Sequence, residues 1–229
     1  MALAVPLSRF TSRVGGGSAF FVRQRQPHNM SSVQEYIANY KDADSARIAF
    51  AWNGKHAAEF KDANQEFRWQ VASYCIEHPE AAAPDLLSAL YRADADWSRE
   101  AWCSPNHFAP LAATLLLRGG DAVIDTFAEG LYASFDTFGA CHQMRLPQHL
   151  LITLSETLQQ RIRQCSDVQR KKWLEGSLEL IDKLQRGIAT QGWVNVPSGT
   201  PVSKVRVVWP RRYHRVWRRI KSWFGYDAA

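Results

Sequence analysis

The sequence predicts an all-α fold: an antiparallel helical bundle or a stack of helical hairpins, built from about seven helices. Two observations predict this class. Apolar residues recur three and four positions apart through most of residues 31–190, which is the spacing of one helix face. The segments between these stripes are short, and short connections make neighbouring helices antiparallel.

Seven apolar stripes give the order of the predicted helices. They cover residues 33–40, 60–75, 86–101, 108–116, 124–135, 147–162 and 174–188. Pro84 suits the first turn of the third helix, where its missing N–H costs nothing. Gly119-Gly120 followed by Asp121 predicts a helix stop, a left-handed cap and a new helix N-terminus. Ser166-Asp167 separates the last two stripes.

Composition allows one core-forming domain with extensions. The chain has 229 residues, of which 46% are hydrophobic and 22% charged, as is usual for globular proteins. Its longest apolar run has ten residues (108–117) and contains Pro110, whereas a membrane-spanning helix needs about twenty apolar residues. We therefore expect no transmembrane helix. The four cysteines are far apart in sequence, which favours free thiols in a reducing, cytoplasmic compartment over a disulfide framework.

Charge is segregated along the chain. Residues 1–34 hold four Arg and no acidic residue, and residues 204–226 hold eight Lys or Arg and no acidic residue. Residues 35–203 hold 16 basic and 21 acidic residues, so the middle of the chain has a net charge of −5 although the whole protein carries +6. The sequence therefore predicts an acidic globular body with basic extensions.

Four regions follow from these patterns: residues 1–30 as a leader or disordered arm, 31–190 as the helical domain, 191–203 as a linker and 204–229 as a basic, aromatic tail. The first region is rich in Arg and Ser and lacks acids, which suits an organelle import signal. The alternative is that Met30 is the true start. Ser32 and Glu35 support an ordered beginning there, because they can form a capping box at a helix N-terminus.

The tail has the pattern of a basic amphipathic helix. Tyr213, Val216 and Ile220 recur at helical spacing together with Trp and Phe, and Arg residues occupy most of the remaining positions. We expect an anionic surface to be bound by these residues: Arg211, Arg212, Arg215, Trp217, Arg218, Arg219 and Trp223.

Three partners suit such a tail. An anionic membrane surface comes first, because Trp sits well at headgroup level and Arg binds phosphate in a bidentate fork. Nucleic acid comes second, since Arg neutralises phosphate and aromatic rings stack on unpaired bases. The third is protein: the acidic body of this chain, or of a neighbouring copy in a homo-oligomer whose subunits the tail would join. The remaining alternative is that the tail helix packs its aromatic face on the domain and exposes its Arg residues to water.

Cysteine and histidine occur close together at three places: Cys75 with His78, Cys103 with His107, and Cys141 with His142. Thiolate and imidazole are ligands that Zn²⁺ prefers, so Cys75, His78, Cys103 and His107 are the candidate metal ligands. Their spacings do not make a zinc motif, and we expect neither a metal nor another cofactor.

An enzyme remains the hypothesis of a different class. Residues 134–142 predict a tight loop between helices, with polar groups among aromatics. Within it, Cys141 is a candidate nucleophile, with His107 as its activating base and Asp136 nearby. The common catalytic motifs do not occur. Asp94, Asp96 and Glu100 predict a solvated, charged helix face.

The leading functional hypothesis is a non-enzymatic helical binding or scaffold protein whose tail binds an anionic surface. The rivals are a small helical enzyme with a Cys/His or zinc centre around Cys103, His107 and Cys141, and an assembly subunit whose tail docks on an acidic helical body.

Overall fold

A computed structural model of the protein describes residues 27–187, with side chains from residue 32 onward. This part of the chain is all-α and contains no strand, which confirms the predicted fold class. Its eight α-helices are α1 (Pro27–Ala38), α2 (Gln65–Glu77), α3 (Pro84–Ala101), α4 (Phe108–Gly119), α5 (Ile124–Leu131), α6 (Phe135–Cys141), α7 (Gln148–Gln164) and α8 (Val168–Gln185). Short 3-10 turns occupy Asp42–Arg47, Ala57–Glu59, Pro79–Ala81 and Gly120–Val123.

Helix α3 lies at the centre of the bundle. It packs against α2, α4 and α5, while α7 and α8 form a hairpin that meets α5. Because only residues 165–167 join α7 to α8, the two helices run antiparallel. The buried apolar side chains form one continuous core, whose largest fully enclosed members include Leu87, Tyr91, Phe108, Leu115 and Phe127. The apolar stripes therefore predicted the buried faces of the main helices.

Several predicted boundaries are confirmed. Helix α3 begins with Pro84 in its first turn, and α4 ends at Gly119, followed by Gly120 with φ of +54°. Asp167 caps α8, since its side chain accepts a hydrogen bond from the Arg170 backbone N–H at 2.6 Å. This cap satisfies one of the amides that would otherwise lack a partner at a helix start.

Other boundary predictions are wrong. Ser32 does not cap a helix, because α1 begins at Pro27 and continues through it. Asp121 does not start α5, since a 3-10 turn intervenes and α5 begins at Ile124. Phe60 lies before α2 rather than within it, in a loop at residues 49–64.

Residues 134–142, predicted as a loop, instead contain the short helix α6. The Ser134 side chain accepts from the Thr137 backbone N–H at 3.1 Å, and the Ser134 backbone N–H donates to the Thr137 hydroxyl at 3.0 Å. This reciprocal capping starts a new helical turn where a loop was expected.

None of the helices within residues 27–187 combines the length and apolar character that crossing a membrane requires.

Candidate functional site

A charged side chain lies at the centre of the packed helices. Arg68 of α2 is fully buried, and its guanidinium bridges two carboxylates. Its Nε–H donates to Oδ1 of Asp94 at 2.8 Å, and its Nη2–H donates to Oδ2 of Asp62 at 2.6 Å. Neither carboxylate has any exposed side-chain surface. In this buried ion network, the two carboxylates supply the opposite charge that a buried guanidinium needs, because an unpaired buried charge is too costly to retain.

Asp94 of α3 is the hub of this network. Besides Arg68, its Oδ1 accepts from the indole Nε1–H of Trp69 at 3.1 Å. Its Oδ2 accepts from Nε2–H of His107, just before α4, at 2.7 Å. Three donors, two from α2 and one from the segment before α4, thus hold one carboxylate of α3 in place. The interpretation of Asp94 as part of a solvated face is wrong, whereas Asp96 does lie at the surface, paired with Arg99 at 2.7 Å.

Asp62 ties the loop at residues 49–64 to the network. Its Oδ1 accepts from the backbone N–H groups of Ala51 and Asn64, at 3.0 and 3.1 Å. Trp52 and Asp62 also form an isolated antiparallel bridge. Because Asp62 holds the loop with one oxygen and Arg68 with the other, this irregular segment is anchored to the core.

His107 is the member of the network that reaches the surface. Its side chain is 18% exposed, and its ring meets the edge of Trp69 at a centroid distance of 5.5 Å. From Trp69 an aromatic row continues through Trp97 to Phe60, with centroids 5.3 and 5.9 Å apart. The imidazole therefore lies at one end of an aromatic row, oriented by a buried carboxylate.

Cys141 and His107 have different partners. Cys141 is fully buried at the end of α6, and its Sγ lies 3.8 Å from the Tyr91 hydroxyl. Burial raises the pKa of the Cys141 thiol to about 12, although the hydrogen bond to Tyr91 opposes part of this rise. A nucleophilic cysteine needs the opposite shift and access to substrate. These contacts give no support to a dyad with His107, which is bonded to Asp94.

Asp136, the third catalytic candidate, is half-buried in the first turn of α6, where burial raises the pKa of its carboxyl group. It lies close to Cys103, whose thiol pKa is raised by burial and then by this neighbouring carboxylate. His142 follows α6, with Nδ1 2.9 Å from the Phe138 carbonyl oxygen, and burial lowers the pKa of its imidazole.

The four candidate metal ligands are dispersed. Cys75 is fully buried in α2, where burial raises the pKa of its thiol to about 12. His78 lies just beyond the end of α2, exposed and 3.8 Å from Glu80. Cys103 is exposed, and His107 binds Asp94. Within residues 27–187 no group of three or more His, Cys, Asp or Glu side chains is arranged to hold a metal ion.

The seven predicted surface-binding residues, from Arg211 to Trp223, lie outside the described residues, as do the linker from residue 191 and the arm up to residue 26. The predicted division into arm, domain, linker and tail therefore stays a prediction.

Sequence reasoning missed the central ion network, although a signal for it exists. Arg68 falls in register with Val71, Ala72 and Cys75, the buried face of α2. Asp94 likewise falls in register with Leu87 and Tyr91 on α3. A charged residue on an apolar stripe indicates a buried pair, because an unpaired buried charge is too costly to retain.

The described residues form an all-helical domain with a buried Asp–Arg–Asp–His network, and this is the structural class of the protein. Comparisons with protein-family models, curated proteins and solved structures find no match to this chain.

Proposed function

We propose that this protein is a non-enzymatic helical binding protein, cytoplasmic and held at the membrane periphery by its basic tail. The observation that carries the proposal is the separation of charge. The tail has eight basic residues and one acidic residue, Asp227, while residues 35–203 have a net charge of −5. Charge is thus separated between a basic tail and an acidic body, so the tail can attract an anionic partner that the body would repel.

The chemistry of the tail favours a lipid surface over nucleic acid. Each Lys or Arg near an anionic bilayer contributes roughly 1 kcal/mol. Val216, Trp217 and Ile220 add an apolar face at helical spacing, which can be buried among lipid headgroups. Base stacking needs aromatic rings but not aliphatic side chains between them. Nucleic acid is therefore the second candidate partner for the tail.

The domain supplies a well-packed body for the tail to carry. Within the described residues, no fully buried side-chain polar atom lacks a hydrogen-bond partner. The candidate nucleophile Cys141 is enclosed, and the candidate metal ligands are dispersed. These features favour a binding or scaffold role over the Cys/His enzyme.

The experiment is sedimentation with phosphatidylserine-containing vesicles. In the full chain, replacing Arg211, Arg215 and Arg218 by Glu should abolish co-sedimentation, because the tail would lose its attraction to anionic headgroups. The control replaces three exposed basic residues of the domain outside the α7–α8 turn, Lys41, Lys61 and Arg145, by Glu. Equal binding by the tail variant and the wild type would refute the proposal, and competition by single-stranded RNA would favour the second partner.

A further inference from the structure

A polar cleft of about 290 Å³ lies beside the turn between α7 and α8. Arg161 and Arg170 line it from the two helices, together with the side chains of Gln160 and Gln164. All four carry N–H donors. Asp121 also lines the cleft, but two guanidinium groups and two side-chain amides supply most of the polar groups that a ligand would meet there.

A single carboxylate holds both guanidinium groups. Asp125 of α5 accepts from Nη1 of Arg161, and Arg170 approaches it with Nε 3.0 Å from Oδ1 and Nη2 2.8 Å from Oδ2. Arg161 also donates from Nη2 to the Asp121 carbonyl oxygen at 2.9 Å. The two groups are therefore oriented before any ligand arrives, which lowers the entropy cost of binding.

These contacts leave the two guanidinium groups with donors to spare. Each guanidinium has five N–H groups, and the contacts to Asp125 and Asp121 engage two on Arg161 and two on Arg170. Both side chains remain partly open to solvent, at 30% and 53% exposure. The free N–H groups can therefore reach a ligand in the cleft.

The charge of this turn is opposite to that of the domain. Residues 161–172 contain five basic residues and one acidic residue, Asp167. Counting Asp121 and Asp125 as well, the turn still has two more positive than negative charges, while residues 35–203 have a net charge of −5. Arg163, Lys171 and Lys172 belong to the same turn, are exposed, and have no ion-pair partner among residues 27–187. The cleft thus attracts anions to an otherwise acidic body.

We infer that the α7–α8 cleft binds a phosphate group. A tetrahedral phosphate presents several acceptor oxygens, and Arg recognises such oxygens with paired N–H donors. A volume of about 290 Å³ lies near the lower end for small-molecule pockets, which suits a phosphate with a short polar substituent. The source is a free phosphate or phosphorylated small molecule, or the headgroup of an anionic lipid.

The lipid source rests on the proposed function and would give the domain its own contact with the bilayer. Val168, which begins α8 two residues before Arg170, is 70% exposed and provides an apolar side chain that could enter the bilayer. The free-phosphate source is independent of the tail.

The first experiment measures the effect of inorganic phosphate on the melting temperature of the full chain, with sodium chloride at equal ionic strength as reference. The wild type and the Lys61→Ala control should be stabilised, and Arg170→Ala should bind phosphate about tenfold or more weakly. Arg170→Lys keeps the positive charge but loses the paired N–H donors of the guanidinium, so it should also bind phosphate more weakly. Arg170 is chosen because its loss leaves the contact between Arg161 and Asp125.

The second experiment measures sedimentation of the same variants with phosphatidylcholine vesicles containing phosphatidic acid. Stabilisation by phosphate that depends on Arg170 supports the site and a free source. If phosphate does not stabilise the protein but Arg170→Ala sediments less than the wild type and Lys61→Ala does not, the cleft binds the headgroup of an anionic lipid. If Arg170→Ala matches Lys61→Ala in both experiments, the inference is overturned. If the wild type does not sediment with any anionic vesicle, the proposed membrane function is refuted. The phosphate experiment still shows whether the cleft binds phosphate.

Discussion

Arg68 and Asp94 form an ion pair of 2.8 Å in which neither side chain has any surface exposed to solvent. The pair joins α2 to α3, and Asp62 and His107 extend it to the loop at residues 49–64 and to the segment before α4. Burying these charges in an apolar core costs free energy, but removing only one partner costs more, because it leaves an unpaired charge buried.

Removing Arg68 should therefore strongly destabilise the domain. We expect Arg68→Ala to lower the free energy of unfolding by about 3–5 kcal/mol, because it leaves Asp62 and Asp94 buried without their cation. The control is Arg99→Ala, which removes an exposed pair with Asp96 and should cost less than about 1 kcal/mol. Urea unfolding followed by circular dichroism measures both. Similar losses for the two variants would contradict the role given to the network.

The exposed Cys103 and the buried Cys75 and Cys141 should differ sharply in reactivity. Cys103 is exposed, whereas Cys75 and Cys141 are buried and burial raises the pKa of each thiol to about 12. Near neutral pH, iodoacetamide should alkylate Cys103 in the native protein, because its thiol is exposed although its pKa is also raised. It should reach Cys75 and Cys141 only after unfolding, because these thiols are enclosed and the thiolate is the reactive form. Peptide mapping by mass spectrometry distinguishes the sites. Rapid native alkylation of Cys141 would restore it as a candidate nucleophile.

Stability should fall in alkaline solution. Burial raises the pKa of Cys75 and Cys141 from 9.0 to about 12, and that of Tyr132 from 10.0 to about 12. Between about pH 9 and 12 the folded state therefore binds more protons than the unfolded state, so the free energy of unfolding decreases as pH rises. Below pH 9 the contribution of these groups is fully present.

A variant tests the origin of this slope. Cys141→Ala should flatten the decline by up to about 1.4 kcal/mol per pH unit, whatever its effect on stability at neutral pH. Urea unfolding at a series of alkaline pH values measures the slope. An unchanged slope in the variant would show that Cys141 does not contribute.

Two glycines on different helices should respond oppositely to alanine. A Cβ at Gly176 of α8 would overlap the Tyr132 hydroxyl, whereas a Cβ at Gly139 of α6 would meet no atom within 4 Å. We expect Gly176→Ala to cost about 1–3 kcal/mol through overpacking, and Gly139→Ala to stabilise by up to about 1 kcal/mol through helix propensity. Thermal unfolding compares them. Adding Tyr132→Phe should recover part of the Gly176→Ala loss, and no recovery would contradict this contact as its cause.

Local patterns predicted the helices because each pattern reports on neighbours along the chain. Pro84 suits a helix start because it lacks a backbone N–H, and Asp167 suits one because its side chain accepts from a free backbone N–H. Both effects act within one turn and need no tertiary contact. The capping box at Ser32 failed because the residues before it continue the helix back to Pro27.

The candidate site was harder to predict because its contacts join distant segments. Arg68 meets Asp94, which is 26 residues away along the chain, and no local pattern specifies that pairing. The proximity of Cys141 to His107 was postulated from chemistry alone. Folding instead placed Cys141 against Tyr91, 50 residues away, and His107 against Asp94. Burial, which decides whether a thiol can react, follows from this packing.

The most direct test of the central claim is sedimentation with anionic vesicles, comparing the full chain with a chain that ends at Ser203, at low and at physiological salt. The account predicts that the full chain sediments and that the chain ending at Ser203 sediments much less. Salt should weaken the binding of the full chain without abolishing it, because screening reduces the Arg contribution and leaves the burial of Trp217 and Trp223. Equal sedimentation of both chains, or of neither, would contradict the tail as the membrane anchor.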